Sequence, residues 1–105
     1  MRNVKTVVDG ISFASKKEAA RYGDLKLLER AGEIKHLQVQ PRFDLKVNDQ
    51  LVCRYIADFS YYQGKGPHQR VVEDVKGRKK GGAWDIFRIK AKLMKAIHKI
   101  DVVVI

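Results

Sequence analysis

The stretch that decides the fold runs from residue 51 to residue 76 and reads LVCRYIADFSYYQGKGPHQRVVEDVK. Its two ends, Leu51 to Tyr62 and Val71 to Lys76, are rich in β-branched and aromatic side chains, which favour strands. Between them, the residues from Gln63 to Pro67 carry glycine and proline and favour a turn. We therefore predict two strands that are joined by this turn and lie side by side.

Two carboxylates interrupt the apolar pattern of these strands, Asp58 in the first and Asp74 in the second. Asp74 and Lys76 are two positions apart, so their side chains share one face of an extended strand, whereas Glu73 points to the other face. Glu73 leaves the register of the acidic pair open, and we prefer Asp74 because Lys76 must share its face. Carboxylate oxygens suit Mg²⁺ or Mn²⁺, so Asp58 and Asp74 are candidate ligands of one metal ion.

The chain before this stretch predicts a hairpin and a helix. Residues 1–14 form a hairpin extension in which Asp9-Gly10 favours a tight turn between two short strands. Ser15 begins a helix because it forms a capping box with Glu18, and Gly32 ends that helix. Glu18 is the candidate third carboxylate of the metal site, and a purely capping role is the alternative.

The remaining segments predict the other strands and a second helix. Residues 34–47 alternate apolar and polar side chains through Pro41 and predict an extended segment, and the apolar run 101–105 predicts a closing strand buried on both faces. Residues 84–98 predict an amphipathic helix whose apolar side chains face the core. Those side chains are Ile86, Ile89, Leu93, Met94 and Ile97. The order of elements predicts a single α/β domain over residues 1–105, with residues 15–105 forming a central mixed sheet flanked by two helices (αβββαβ).

The charge of the chain predicts a polyanionic partner. Lys and Arg number 22 against 12 acidic residues, a formal charge of +10 on 105 residues. Phosphate backbones bind such proteins through counterion release. The candidate DNA contacts are Arg78, Lys79 and Lys80 in a glycine-rich loop, and Lys90 and Lys92 on the second helix. For each of these cations the alternative is a solvated surface charge.

The same sequence predicts a soluble, cytoplasmic protein with no membrane partner. Cys53 is the single cysteine, so no internal disulfide is expected. The N-terminus lacks the apolar stretch of a signal peptide, and no apolar run is long enough to span a bilayer.

These residues also carry a resemblance to a known superfamily. Glu18, then Asp58, then Asp74-Val75-Lys76-Gly77 resembles the PD-(D/E)xK superfamily of restriction-endonuclease-like nucleases, with Ala57-Asp58 in place of a Pro-Asp pair. The predicted order of elements is similar to the core of that superfamily. The whole chain is similar to a small phage-encoded branch that includes phage endonucleases and Holliday-junction resolvases.

The resemblance implies a function and a set of roles. It implies that Asp58, Asp74 and Glu18 bind Mg²⁺, which Mn²⁺ can replace, that Lys76 assists catalysis, and that Gln40 adds a polar contact to DNA. The expected activity is that of a metal-dependent endodeoxyribonuclease, selective for branched or junction DNA, in phage DNA processing or recombination in the host cytoplasm. A homodimer is expected because paired cuts in two strands favour two-fold symmetry. A non-catalytic basic DNA-binding module and a sequence-specific nicking or restriction-type nuclease are the alternatives.

Overall fold

The computed structural model describes residues 5–64 and 69–105. The predicted turn from Gln63 to Pro67 therefore lies partly outside the described residues. The described elements, in chain order, are β1 (Thr6–Val8), β2 (Ile11–Phe13), α1 (Lys16–Arg30), β3 (Ile34–Val39), β4 (Arg42–Val47), β5 (Gln50–Ile56), β6 (Phe59–Gln63), β7 (Arg70–Asp74), α2 (Gly82–Leu93), a π-helical turn (Met94–His98) and β8 (Val102–Val104). No helix among the described residues is long and apolar enough to cross a membrane.

The centre of the molecule is a mixed four-stranded sheet in the order β3-β6-β7-β8. β3, β6 and β7 are antiparallel neighbours, and β8 runs parallel to β7 after the crossover through α2. One cluster of core residues joins α1 to the sheet, with Tyr22 and Leu25 against Phe59. A second cluster joins α2 to the sheet, with Phe87 against Val72. The predicted α/β class, with a mixed sheet and two helices, is confirmed.

The segment between β3 and β6 differs from the prediction. Residues 34–47 are not one extended segment, because the chain leaves the central sheet at Gln40, which has a φ of +55°, and Pro41 has no N–H for a continuing ladder. β4 and β5 then pair with each other in a separate two-stranded sheet. The predicted strand from Leu51 to Tyr62 is likewise broken, since β5 ends at Ile56 and β6 begins at Phe59.

Two hydrogen bonds close the base of this inserted hairpin. The amide of Gln40 donates to the carbonyl of Asp58 over 2.9 Å, and the amide of Ala57 donates to the carbonyl of Pro41 over 3.1 Å. Asp58 therefore stands at the point where the β4–β5 hairpin returns to the central sheet. Asp58 thus lies in the gap between two strands and not in the middle of one long strand.

The second helix and the last strand bury fewer side chains than predicted. α2 and the π-helical turn cover the predicted helical range, but Ile86 and Ile89 are exposed, because Phe87 and Met94 form the face that packs on the sheet. The prediction that all the apolar residues of this helix face the core is wrong. β8 is also not buried on both faces, since it lies at the sheet edge and Val103 is 43% exposed.

Candidate functional site

Asp58 is held against the end of β7 by two backbone contacts. Its amide donates to the carbonyl of Glu73 over 3.1 Å, and its Oδ2 accepts a hydrogen bond from the amide of Val75 over 2.6 Å. Asp74, the last residue of β7, lies between Glu73 and Val75 in the chain, so its carboxylate is brought beside that of Asp58. The structure therefore brings together the two acids that were expected on neighbouring strands.

Asp74 is buried and fully engaged. Its Oδ1 lies 2.9 Å from Nζ of Lys76, and its Oδ2 accepts a hydrogen bond from the hydroxyl of Tyr55. Burial raises the pKa of Asp74, although the hydrogen bonds from Tyr55 and Lys76 act in the opposite direction. β7 ends at Asp74, so the predicted strand to Lys76 is too long, but the two side chains do lie on one side.

Lys76 is held between an acid and an aromatic ring. Its Nζ lies 4.2 Å from the centroid of the Phe87 ring, in addition to its contact with Asp74. A cation over a ring face is stabilised by the ring quadrupole. The ammonium is thus fixed beside the acids by contacts from both β7 and α2.

Glu18 divides its roles between its backbone and its side chain. Its amide donates to Oγ of Ser15 over 3.2 Å, which confirms the predicted cap of α1. Its carboxyl faces Asp58, whose pKa is raised to about 7, first by burial and then by the hydrogen bond with Glu18. Oε2 of Glu18 is buried and has no hydrogen-bond partner within the described part of the chain. Three carboxyl groups therefore form one acidic cluster of Glu18, Asp58 and Asp74.

The carboxylates of the acidic cluster do not have the spacing of a formed metal-coordination site. In residues 5–64 and 69–105, no three acidic, histidine or cysteine side chains are arranged to hold a metal ion as they stand. The oxygens of Asp74 are engaged by Tyr55 and Lys76, and Oδ2 of Asp58 by a backbone amide. The donor set nevertheless fits a hard cation in its chemistry, because it consists of carboxylate oxygens and includes the unpartnered oxygen of Glu18.

Glu73 lies on the opposite face of β7, as predicted, and has its own partners. Its side chain is 1% exposed and accepts hydrogen bonds from Nε and NH2 of Arg21, over 2.8 and 2.6 Å. The hydroxyl of Tyr61 donates to the same carboxylate, and burial with this bond raises the pKa of Tyr61 to about 12. Asp74, and not Glu73, is therefore the acid that shares a side with Lys76.

Sequence reasoning missed the partners of both acids. Neither Tyr55 nor Tyr61 was predicted to be the partner of an acid, and neither was Arg21, which lies one helical turn after Glu18. Arg21 occupies the same side of α1 as Glu18, and this spacing was the only signal in the sequence. The contact of Tyr61 follows from the strand register, since Phe59 pairs with Glu73 and places Tyr61 on the diagonal.

A cleft of about 270 Å³ opens between β5 and α2 beside the acidic cluster. Asp74 and Lys76 line it, together with Lys90, which was a candidate DNA contact. Arg54 of β5 also lines this cleft and was missed; its Nε lies 3.0 Å from Oδ1 of Asp44 on the surface. The remaining lining residues are Tyr55, Ile56, Ala83, Ile86 and Phe87.

The other candidate DNA contacts lie outside the lining of this cleft. Arg78, Lys79 and Lys80 are exposed in the segment between β7 and α2, directly after Lys76 in the chain. Lys92 is exposed on α2. Nε2 of Gln40 donates to the carbonyl of Ser12 over 3.4 Å, so its side chain contacts the N-terminal hairpin.

The raised pKa of Asp58 predicts how stability depends on pH. Between pH of about 4 and about 7 the folded chain holds a proton that the unfolded chain has released, so the free energy of unfolding falls as pH rises through this window and levels off above it. Asp74 acts in the same direction. In urea titrations with EDTA we expect a loss of roughly 1–3 kcal/mol from pH 5 to pH 8.

The variant Asp58→Asn isolates this effect. It should lose much of the pH dependence and be more stable than the wild type at pH 8, since the amide keeps an acceptor for Val75 but carries no charge. Asp101→Asn, at an exposed position, is the matched control and should keep the wild-type slope. An unchanged slope in Asp58→Asn would show that the acidic cluster does not hold the proton.

Comparison with known proteins identifies a family but no activity. The family model described as "Protein of unknown function (DUF1064)" matches residues 1–102. No curated protein and no solved structure matches the chain.

Proposed function

The chain belongs to the family of proteins of unknown function DUF1064, and we propose that this member is a metal-dependent endonuclease that hydrolyses phosphodiester bonds in DNA. The observation that carries the proposal is the acidic cluster of Glu18, Asp58 and Asp74, with the Lys76 ammonium beside it at the edge of a cationic cleft. Buried acids with raised pKa values are costly to a fold and are concentrated at functional sites.

The topology supports a restriction-endonuclease-like core. α1 is followed by the antiparallel strands β3, β6 and β7, then by α2 and the parallel strand β8. This is similar to the order of elements that the sequence resemblance implies, with the β4–β5 hairpin inserted directly before Asp58. The insertion leaves Glu18, Asp58, Asp74 and Lys76 at one place in the fold.

The acidic cluster would hold Mg²⁺, or Mn²⁺ in its place, through oxygens of Glu18, Asp58 and Asp74. Such an ion supplies a bound water of lowered pKa and neutralises charge on the phosphate. Lys76 places a second positive charge at the same point, which stabilises negative charge developing on the phosphate oxygens. The hydroxyl of Tyr55 keeps the Asp74 carboxylate in position.

The distribution of positive charge supports DNA as the substrate. Lys90 and Arg54 lie on the two walls of the cleft, and Arg78, Lys79 and Lys80 follow Lys76 in an exposed segment. Cations placed in this way around an acidic cluster offset its repulsion of the phosphate backbone. We extend the proposal to branched DNA cut by a homodimer, since paired cuts in two strands need two copies of one site.

One observation favours a second candidate function, a basic module that binds DNA without cutting it. Among the described residues no three side chains are arranged to bind a metal ion, and Lys76 already forms an ion pair with Asp74. In such a module the acids would serve the fold alone. A sequence-specific nicking or restriction-type enzyme would share the proposed chemistry and differ only in substrate choice.

A cleavage panel separates these functions. The protein is incubated with linear duplex, single-stranded, flapped and four-way-junction DNA, each with Mg²⁺, with Mn²⁺ and with EDTA. We expect internal cuts with either metal, none with EDTA, and the fastest cutting on branched substrates. Binding that is indifferent to Mg²⁺ and gives no cuts on any substrate would contradict the nuclease proposal and favour the binding module.

A further inference from the structure

Three isoleucines near the acidic cluster face solvent. Ile56 of β5 is 54% exposed, and Ile86 and Ile89 of α2 are 57% and 60% exposed. Ile56 and Ile86 line the cleft from its two walls. Exposed aliphatic side chains grouped around a concave site are typical of a surface that binds something apolar.

The same cleft carries an excess of positive charge. Arg54, Lys76 and Lys90 line it, while the one acid among the described lining residues, Asp74, is paired with Lys76. Arg54 stands two positions before Ile56, and Lys90 stands four positions after Ile86, so each wall pairs an apolar side chain with a cation. The occupant that complements these walls is an anion with an apolar part.

A nucleotide has this combination, but only when its base is unpaired. In a duplex the bases are stacked inside, so the isoleucine walls would meet phosphate and sugar alone. An unpaired base exposes its flat faces, which pack against apolar or aromatic side chains. The cleft volume of about 270 Å³ is below the range of drug-sized pockets and is too small for a duplex.

We propose that this cleft receives an unpaired nucleotide of a DNA strand next to a duplex arm, with its base against Ile56 and Ile86 and its phosphates near Arg54 and Lys90. The inference rests on the proposed nuclease function, because a nucleotide bound in the cleft would place its neighbouring phosphodiester beside Asp74 and Lys76. An unpaired nucleotide bound in this way gives a physical reason for a preference for flapped or bulged DNA, in which unpaired nucleotides lie next to a duplex arm.

Binding without cleavage tests the inference. A fluorescent adenine analogue is placed as a one-nucleotide bulge in a duplex, at the same position in the perfect duplex, and in the single strand, and each is titrated with protein in EDTA. We expect the bulge to bind about tenfold more tightly than the duplex, with a change in fluorescence, since the base covers apolar area of both isoleucines. Equal binding of bulge and duplex would overturn the inference, and tight binding of the single strand alone would overturn the placement beside a duplex arm.

Matched variants assign the effect to the cleft. Ile56→Ala and Ile86→Ala should each reduce the preference for the bulge by about threefold and reduce the fluorescence change, because each removes part of the apolar area that the base covers. Leu27→Ala and Val52→Ala, at similarly exposed positions outside the lining, should keep both. If the cleft variants behave like these controls, the inference is wrong.

The binding measurement in EDTA and the cleavage assay in Mg²⁺ can fail independently of each other. A preference for the bulge in EDTA, together with no cleavage in Mg²⁺, would support the cleft as a nucleotide site and contradict the nuclease. Cleavage with no preference for the bulge would support the nuclease and contradict the cleft.

Discussion

Asp58→Asn and Asp74→Asn are each expected to lower single-turnover cleavage by about 10³-fold or more while the chain stays folded. Each change removes a carboxylate from the acidic cluster but keeps the shape of the side chain and a hydrogen-bond acceptor. Losses of this size are typical when a group that acts directly on the reaction is removed. Cleavage is measured at saturating enzyme on the best substrate of the panel, and circular dichroism checks the fold.

DNA affinity provides the second half of this prediction. Binding by either variant should be equal to that of the wild type or tighter, because a negative charge near the phosphate backbone is removed. Asp101→Asn, at an exposed position, is the control and should cut normally. Near wild-type cutting by Asp58→Asn or Asp74→Asn would exclude the acidic cluster as the catalytic site.

The largest effect on stability is expected from the ion pair between Arg21 of α1 and the buried Glu73 of β7. Arg21→Ala should reduce the free energy of unfolding by about 3–5 kcal/mol, because it leaves the Glu73 carboxylate buried without its cation. Arg21→Lys should lose less, since it keeps the charge but not the two-pronged contact with both oxygens. Urea denaturation at pH 7 measures both.

A surface ion pair supplies the matched control. Arg54→Ala breaks the exposed contact with Asp44 and should cost at most about 1 kcal/mol. Equal losses in Arg21→Ala and Arg54→Ala would show that the Arg21 pair does not stabilise the fold. Glu73→Gln should also be destabilised, yet should retain far more cleavage than Asp74→Asn at a temperature where both are folded, because its side chain faces away from Lys76.

Local chemistry in the sequence was enough to predict several parts of the candidate site. The two-residue spacing of Asp74 and Lys76 placed them on one side of a strand end, where the structure has Nζ 2.9 Å from Oδ1. Ser15 predicted the start of α1, and therefore the position of Glu18 in the first turn of this helix. These predictions depend on backbone periodicity and capping, which act over a few residues and need no knowledge of distant partners.

Tertiary structure alone decided the break at Asp58 and the surroundings of the site. Gln40 and Asp58 are far apart in the chain, and the strand pairing and their hydrogen bond together show that a hairpin leaves the sheet between them. Apolar spacing likewise identified α2 as amphipathic but could not tell that Ile86 borders a cleft while Phe87 packs on the sheet.

The physical reason is the range of each interaction. A helix or a strand depends mainly on neighbouring residues, so α1 and α2, the shared side of Asp74 and Lys76 and the net charge of +10 follow from the sequence by itself. Burial and pKa depend on what covers a side chain, and that cover comes from elements far along the chain. The raised pKa of Asp58, through burial and Glu18 of α1, was therefore decided only when the chain had folded.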